Sequence, residues 1–302
     1  MIAAPWSAAV LSYAWQVTLH SFVLGTIFYI WTHRVVVPSG RAKRRLLVLV
    51  LVLPMLTAAV PGRASLEFAE GAAWANSARL LSIPILAGFR LEHVVFLIAM
   101  MAVVLTIGQE ILPVLRRPAT NGPPPPEPLV ALVRSQPGWN NCGVAVYPHE
   151  SVMMATGGAA RRPHLFVSQG ALETLSATEL EAALAHEHAH WQAGRWFESH
   201  ALFAVRLLQC YNPVALWVFR EYSVEVEIAC DAAAVRDRHP RVLARVLLRI
   251  YERTDPRDVA ARAALRKRVD VLLGGGPADD ALPQTTVAMA GAVMALVLPW
   301  IV

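Results

Sequence analysis

Four apolar stretches constrain the fold of this chain before any motif does. The hydrocarbon core of a bilayer, about 30 Å thick, takes roughly 20 helical residues to cross. The stretches begin near Ser7, Leu46, Val94 and Leu282. The first runs from Ser7 to Trp31 and lacks the basic leader of a cleavable signal peptide. The second carries Pro54, the third reaches Leu115 with Glu110 near its end, and the fourth continues to Val302. Composition agrees, since the 302 residues are 56% hydrophobic and only 16% charged, with a mean hydropathy of +0.44. The expected fold class is a membrane α-helical protein of about four transmembrane helices, with an α+β domain inserted between the third and the fourth.

Basic residues in short loops set orientation. Arg34, Arg41, Lys43, Arg44 and Arg45 follow the first stretch with no acid among them, which predicts a cytoplasmic loop. The loop from Pro61 to Glu92 balances Arg63, Arg79 and Arg90 against Glu67, Glu70 and Glu92 and is expected outside, and Arg116 and Arg117 return the chain to the cytoplasm. The prediction is a multi-pass cell-membrane protein with both termini outside. Residues 1–115 form the three-span region, 116–127 a proline-rich linker, 128–273 the cytoplasmic domain, 274–281 a second linker and 282–302 the fourth span. The net charge of +5 does not point to nucleic acid. Much of the excess sits in the loop that sets topology, and Arg266, Lys267 and Arg268 lie on an amphipathic pattern suited to anionic lipid. Three cysteines in the cytoplasmic segment predict free thiols.

The inserted domain changes character along its length. Runs rich in Val, Phe and Met, broken by Gly and Pro, predict strands near 142–148, 151–158 and 164–168. After Ser176 the pattern turns helical. Ser176 with Glu179 three residues on is a capping-box pattern, and Asn212 with Pro213 announces a second long helix. Two further helical patterns cover about 242–253 and 256–273.

The first long helix carries the stretch LAHEHAHW. Residues four apart share a helix face, so His186 and His190 can hold one ion, whereas His188 points elsewhere, to solvent or to a packing surface. Glu187 stands where the general base of the H-E-x-x-H pattern holds a water. On the second helix Glu227 and Asp231 lie one turn apart. Glu227 would complete a zinc set of two His and one Glu, and Asp231 would receive the outer N–H of a ligand histidine. Glu221 and Glu225 are read as solvated helix charges.

LAHEHAH, followed by YNPVALWVFREYSVEVEIACD and preceded by ATGG and PHLFVSQGALETLSATELEAALAHE, resembles the BlaR/MecR-type integral-membrane zinc metallopeptidases. That resemblance implies a gluzincin-like fold, one Zn2+ on His186, His190 and Glu227, and Glu187 as catalytic base. It implies that Val152, Met153, Met154, Ala155 and Thr156 form an edge strand on which a protein or peptide substrate pairs. It also implies signalling by cleavage of a cytoplasmic protein such as a transcriptional repressor. The beta-lactam sensors of this type carry a penicillin-binding domain after the fourth span. This sequence stops at Val302, so the expectation is a separate sensor or regulatory partner beside the lipid bilayer. Candidates for the oxyanion partner are Tyr222, Arg236 and His239. Two other readings are an HtpX or CAAX-type quality-control protease and a non-catalytic zinc-containing membrane scaffold.

Overall fold

Helix ends follow local sequence closely. The Ser176 hydroxyl accepts from the Glu179 N–H, and the Glu179 carboxylate accepts from the Ser176 N–H, so two otherwise orphaned donors are satisfied at the start of Ala177–Gln192. The Asn212 side chain accepts from the N–H groups of Val214 and Ala215, at 3.1 and 3.4 Å, and starts Pro213–Ala234. The computed structural model describes residues 5–34, 40–59, 83–86, 89–108, 122–159, 162–194 and 196–274. Its elements are α1 (Pro5–Arg34), α2 (Arg41–Ala59), β1 (Pro84–Leu86), β2 (Phe89–Arg90), α3 (Leu91–Thr106), α4 (Glu127–Arg134), β3 (Gly143–Tyr147), β4 (Met154–Ala159), β5 (Arg162–Ser168), α5 (Gln169–Thr174), α6 (Ala177–Gln192), α7 (Trp196–Leu208), α8 (Pro213–Ala234), α9 (Pro240–Arg253) and α10 (Val259–Leu273). Two units divide the chain. The first takes Met1–Arg116, Ala201–Ser223 and Asp279–Val302, the second Arg117–His200 and Val224–Ala278.

In the first unit α1 packs on α2. Buried polar pairs join the unit's segments: His20 Nδ1 lies 2.8 Å from Thr57 Oγ1, Asn212 Nδ2 donates to Ser21 Oγ at 2.8 Å, and Gln209 Nε2 donates to the Leu51 carbonyl at 3.0 Å. Each pairing satisfies polar groups that would otherwise be costly to bury.

Among the described residues no helix is long and apolar enough to cross a membrane, and this overturns the expected set of transmembrane helices. The reasons are visible in the helices themselves. α1 is 30 residues long, but Gln16, Thr18, His20, Ser21 and Thr26 interrupt its apolar run. α2 spends its first turns on Arg41, Lys43, Arg44 and Arg45, and α3 has only 16 residues. The fourth expected span, 282–302, and most of the linker before it lie outside the described residues. The described chain is mostly helical with two small sheets.

The second unit is built around a three-stranded sheet in the order β3-β5-β4. β4 pairs antiparallel with β5, Thr156 opposite Leu165, while β3 runs parallel to β5, Ala145 opposite Phe166. β5 alternates, with Pro163, Leu165 and Val167 buried and Arg162 and His164 exposed, as period-2 geometry requires. Leu165 and Val167 meet Leu184 of α6, Leu243 and Leu247 of α9, and Leu265, Val269 and Leu272 of α10 in one core. α6 packs against both β4 and α9. This packing fixes the helix that bears the histidines beside the edge strand of the sheet.

Candidate metal centre

Both histidines come from α6, one turn apart, with ring centroids 4.7 Å apart and Nε2 atoms 3.1 Å apart. Glu227 arrives from α8, its Oε2 3.3 Å from His186 Nε2 and its Oε1 3.2 Å from His190 Nε2. His186, His190 and Glu227 form the one group of His, Cys, Asp or Glu side chains, among the described residues, that could hold a metal ion. One donor atom from each of the three residues can be chosen so that all lie within 4.8 Å of one another, close enough to share a single ion, and two imidazoles with one carboxylate is a donor set zinc takes. The donor set therefore fits the ion that the motif implies.

Asp231 stands one turn beyond Glu227. Its Oδ1 lies 2.8 Å from His186 Nδ1, an ion-pair contact on the outer side of the ring, while Nε2 faces the centre. Arg268 of α10 closes the cluster. Its Nε and Nη2 donate to the two oxygens of Asp231, each at 2.7 Å, and its Nη1 lies 2.9 Å from Glu227 Oε2.

The electrostatics follow from this packing. Burial pulls His186 down, but the Asp231 and Glu227 carboxylates outweigh it and raise the imidazole to about 9. His190 is likewise pulled down by burial and raised to about 10 by Cys230 and Glu227. Burial would raise Glu227, yet His186 and His190 hold it well below the usual carboxylate range. To hold a metal both imidazoles must give up the proton at Nε2, so a cation bound here would displace protons and bind more weakly as pH falls.

Glu187 shares the cavity with these groups. Its Oε2 accepts from the Thr156 N–H at 2.9 Å and from the Thr156 hydroxyl at 3.1 Å. Burial raises its carboxyl, opposed by His186, His190 and Thr156. The cavity, about 370 Å³, is also lined by Val152, Met154, Leu175, Val246 and Ile250. A larger hollow of about 630 Å³ lies along Tyr251, Arg262 and Arg266 but contains neither histidine nor Glu187, so chemistry and not volume marks the site.

The remaining sequence candidates fall as follows. β4 begins at Met154; Val152 is buried just before it, and the Met153 N–H donates to Ser168 Oγ at 2.9 Å. Ala155 and Thr156 lie on the strand, which has β5 as its neighbour on one side. Tyr222, Arg236 and His239 do not line the cavity. Tyr222 is buried in the first unit, Arg236 is exposed, and His239 caps α9 by accepting from the Arg241 N–H.

His188 turns away from the centre, its edge-to-face partner the fully buried Trp139, and its Nε2–H donates to the Pro137 carbonyl at 2.9 Å. Gly138 between them has φ +81, and a Cβ there would stand 2.6 Å from the Trp191 ring, so the turn requires glycine. Glu225 is not a solvated charge but 1% exposed, with Lys267 Nζ 3.1 Å from Oε1. Arg268 was not anticipated from the sequence, where the basic triplet reads as a lipid-facing patch. Its signal is positional, because it sits between Leu265 and Val269 on the buried stripe of α10.

Comparison with known proteins agrees with this geometry. The family model described as BlaR1 peptidase M56 matches residues 6–271. A search of curated proteins finds no match. With the match extending over most of its length, the chain belongs to the BlaR1 peptidase M56 family.

Proposed function

We propose that the chain is a zinc-dependent endopeptidase of the H-E-x-x-H-plus-Glu type. Family membership makes it a peptidase that works with a metal on protein substrate. The finer reading rests on one observation, the meeting of His186, His190 and Glu227 donors beside the carboxylate of Glu187. In this reading those three residues hold the zinc ion, which when bound polarises the scissile carbonyl and acidifies a water. Glu187 accepts that water's proton at its carboxylate and returns it to the leaving amine. Asp231 keeps His186 in the tautomer whose Nε2 is free to bind. A substrate segment lies along β4, where backbone pairing supplies affinity without demanding sequence.

The same proposal places the activity at the cytoplasmic face of the cell membrane, in regulated proteolysis of a protein such as a transcriptional repressor, with a separate protein as sensor. The family match favours this over the HtpX or CAAX-type reading.

The test compares new protein N-termini in cells expressing wild type or Glu187→Gln at matched levels. Termini found only with wild type support the proposal and name the substrate. Equal cleavage by Glu187→Gln removes the mechanism, and zinc binding without Glu187-dependent cleavage under stimulus favours the scaffold.

A further inference from the structure

Arg268 is 12% exposed at its side chain and touches two carboxylates at once. A guanidinium presents its donors in a rigid plane. Here Nε and Nη2 grip Asp231, and the remaining Nη1 reaches Oε2 of Glu227. One planar group thus spans two acids that stand one turn apart on α8. Both oxygens of Glu227 face the centre, Oε2 at 3.3 Å from His186 Nε2 and Oε1 at 3.2 Å from His190 Nε2. Without a competing partner, such a carboxylate can give both oxygens to a single cation. Two histidines and a two-oxygen carboxylate would then fill four positions, the number a closed structural zinc site uses.

We propose that Arg268 is a positioning residue that withholds Oε2 of Glu227, making Glu227 a one-oxygen ligand and keeping one position at the centre open for water. The inference rests on the proposed zinc-binding role of His186, His190 and Glu227. It gives the cation of α10 a task that attraction to lipid does not. Lysine cannot substitute fully, since a point charge cannot hold the two oxygens of Asp231 and reach Glu227 together.

The experiment loads the full chain with cobalt(II) as a spectroscopic probe of the centre, in wild type, Arg268→Met and Arg268→Lys. Metal affinity is measured by chelator competition, and kcat and KM on a cleaved peptide. The expected result for Arg268→Met is retained cobalt with visible absorption changed in intensity by about twofold, as a second carboxylate oxygen enters. Its kcat falls about 10–100-fold while KM changes little. Arg268→Lys changes in the same direction by less, and it decides the matter if Arg268→Met does not fold. Spectra superimposable on wild type in the folded variants overturn the proposal, even if activity falls. Failure of wild type to bind cobalt or zinc overturns the metal reading itself, a separate outcome.

Discussion

Thr156 donates both its backbone N–H and its hydroxyl to a single oxygen, Oε2 of Glu187, at 2.9 and 3.1 Å. The strand proposed to receive substrate therefore also holds the proposed base. The two donors leave Oε1 of Glu187 as the oxygen available to a water, and they oppose the upward pull of burial on the carboxyl.

Thr156→Val keeps the branched shape on β4 and deletes one donor to a charged acceptor. With the backbone N–H still in place, kcat is expected to fall about tenfold while KM stays near wild type. Thr156→Ser, which retains the hydroxyl, is expected to recover most of the loss. Steady-state kinetics on one peptide decides this, and a Ser variant as poor as Val would show that packing, not the hydrogen bond, matters.

Asp231→Asn retains an oxygen for His186 Nδ1–H but loses the charge that pairs with Arg268. Outer partners of metal-binding histidines typically carry one to two orders of magnitude in affinity, so zinc is expected to bind about 10–100-fold more weakly. Competition with a chromogenic chelator measures this, with circular dichroism checking that the helices persist.

What could be read beforehand was what depends on neighbours in sequence. The Ser176 and Glu179 cap, the Asn212 cap and the i, i+4 pairing of His186 with His190 are local, and the helices realise them. Glu227 and Asp231, one turn apart, share a face for the same local reason, but they lie 41 and 45 positions after His186, and their meeting with it depends on tertiary packing. Arg268 was not legible, because its partners lie 37 and 41 positions earlier and only the tertiary fold, with α10 packed on α9, brings them together. Thr156 was legible as strand but not as partner of Glu187, 31 positions away. The apolar stretches misled for the opposite reason. The apolar character of a whole stretch hides the polar residues spread through it, Gln16, Thr18, His20, Ser21 and Thr26 in α1, and does not fix where a helix ends, as with the 16 residues of α3.

Glu179 joins the start of α6 to α9. Its Oε2 accepts from the Ser176 N–H and hydroxyl, both at 2.9 Å, and its Oε1 from Arg249 Nε at 3.1 Å. Burial would raise this carboxyl, but Ser176 and Arg249 outweigh it, and the pKa is lowered. A lowered folded-state pKa means the contribution to stability is present above the unfolded value of about 4.3 and is lost as pH falls through the folded value. Glu179→Gln is therefore expected to destabilise by about 1–3 kcal/mol at pH 7 and by progressively less below pH 4. Urea melts at both pH values test the sign.

Removing the metal should cost stability as well as activity. His186 and His190 lie on α6, Glu227 on α8, and an ion held by all three binds only the folded arrangement of these helices. Free zinc about a thousandfold above its dissociation constant would then stabilise the fold by about 4 kcal/mol. Chelator is expected to lower the midpoint of thermal unfolding by several degrees, and added zinc to restore it. Glu227→Ala, with one ligand gone, is expected to show a much smaller chelator-dependent shift. Magnesium in place of zinc should restore neither the midpoint nor cleavage, because a set of two imidazoles and one carboxylate suits zinc and not a hard, octahedral ion. A chelator-induced shift as large in Glu227→Ala as in wild type would place the stabilising ion elsewhere.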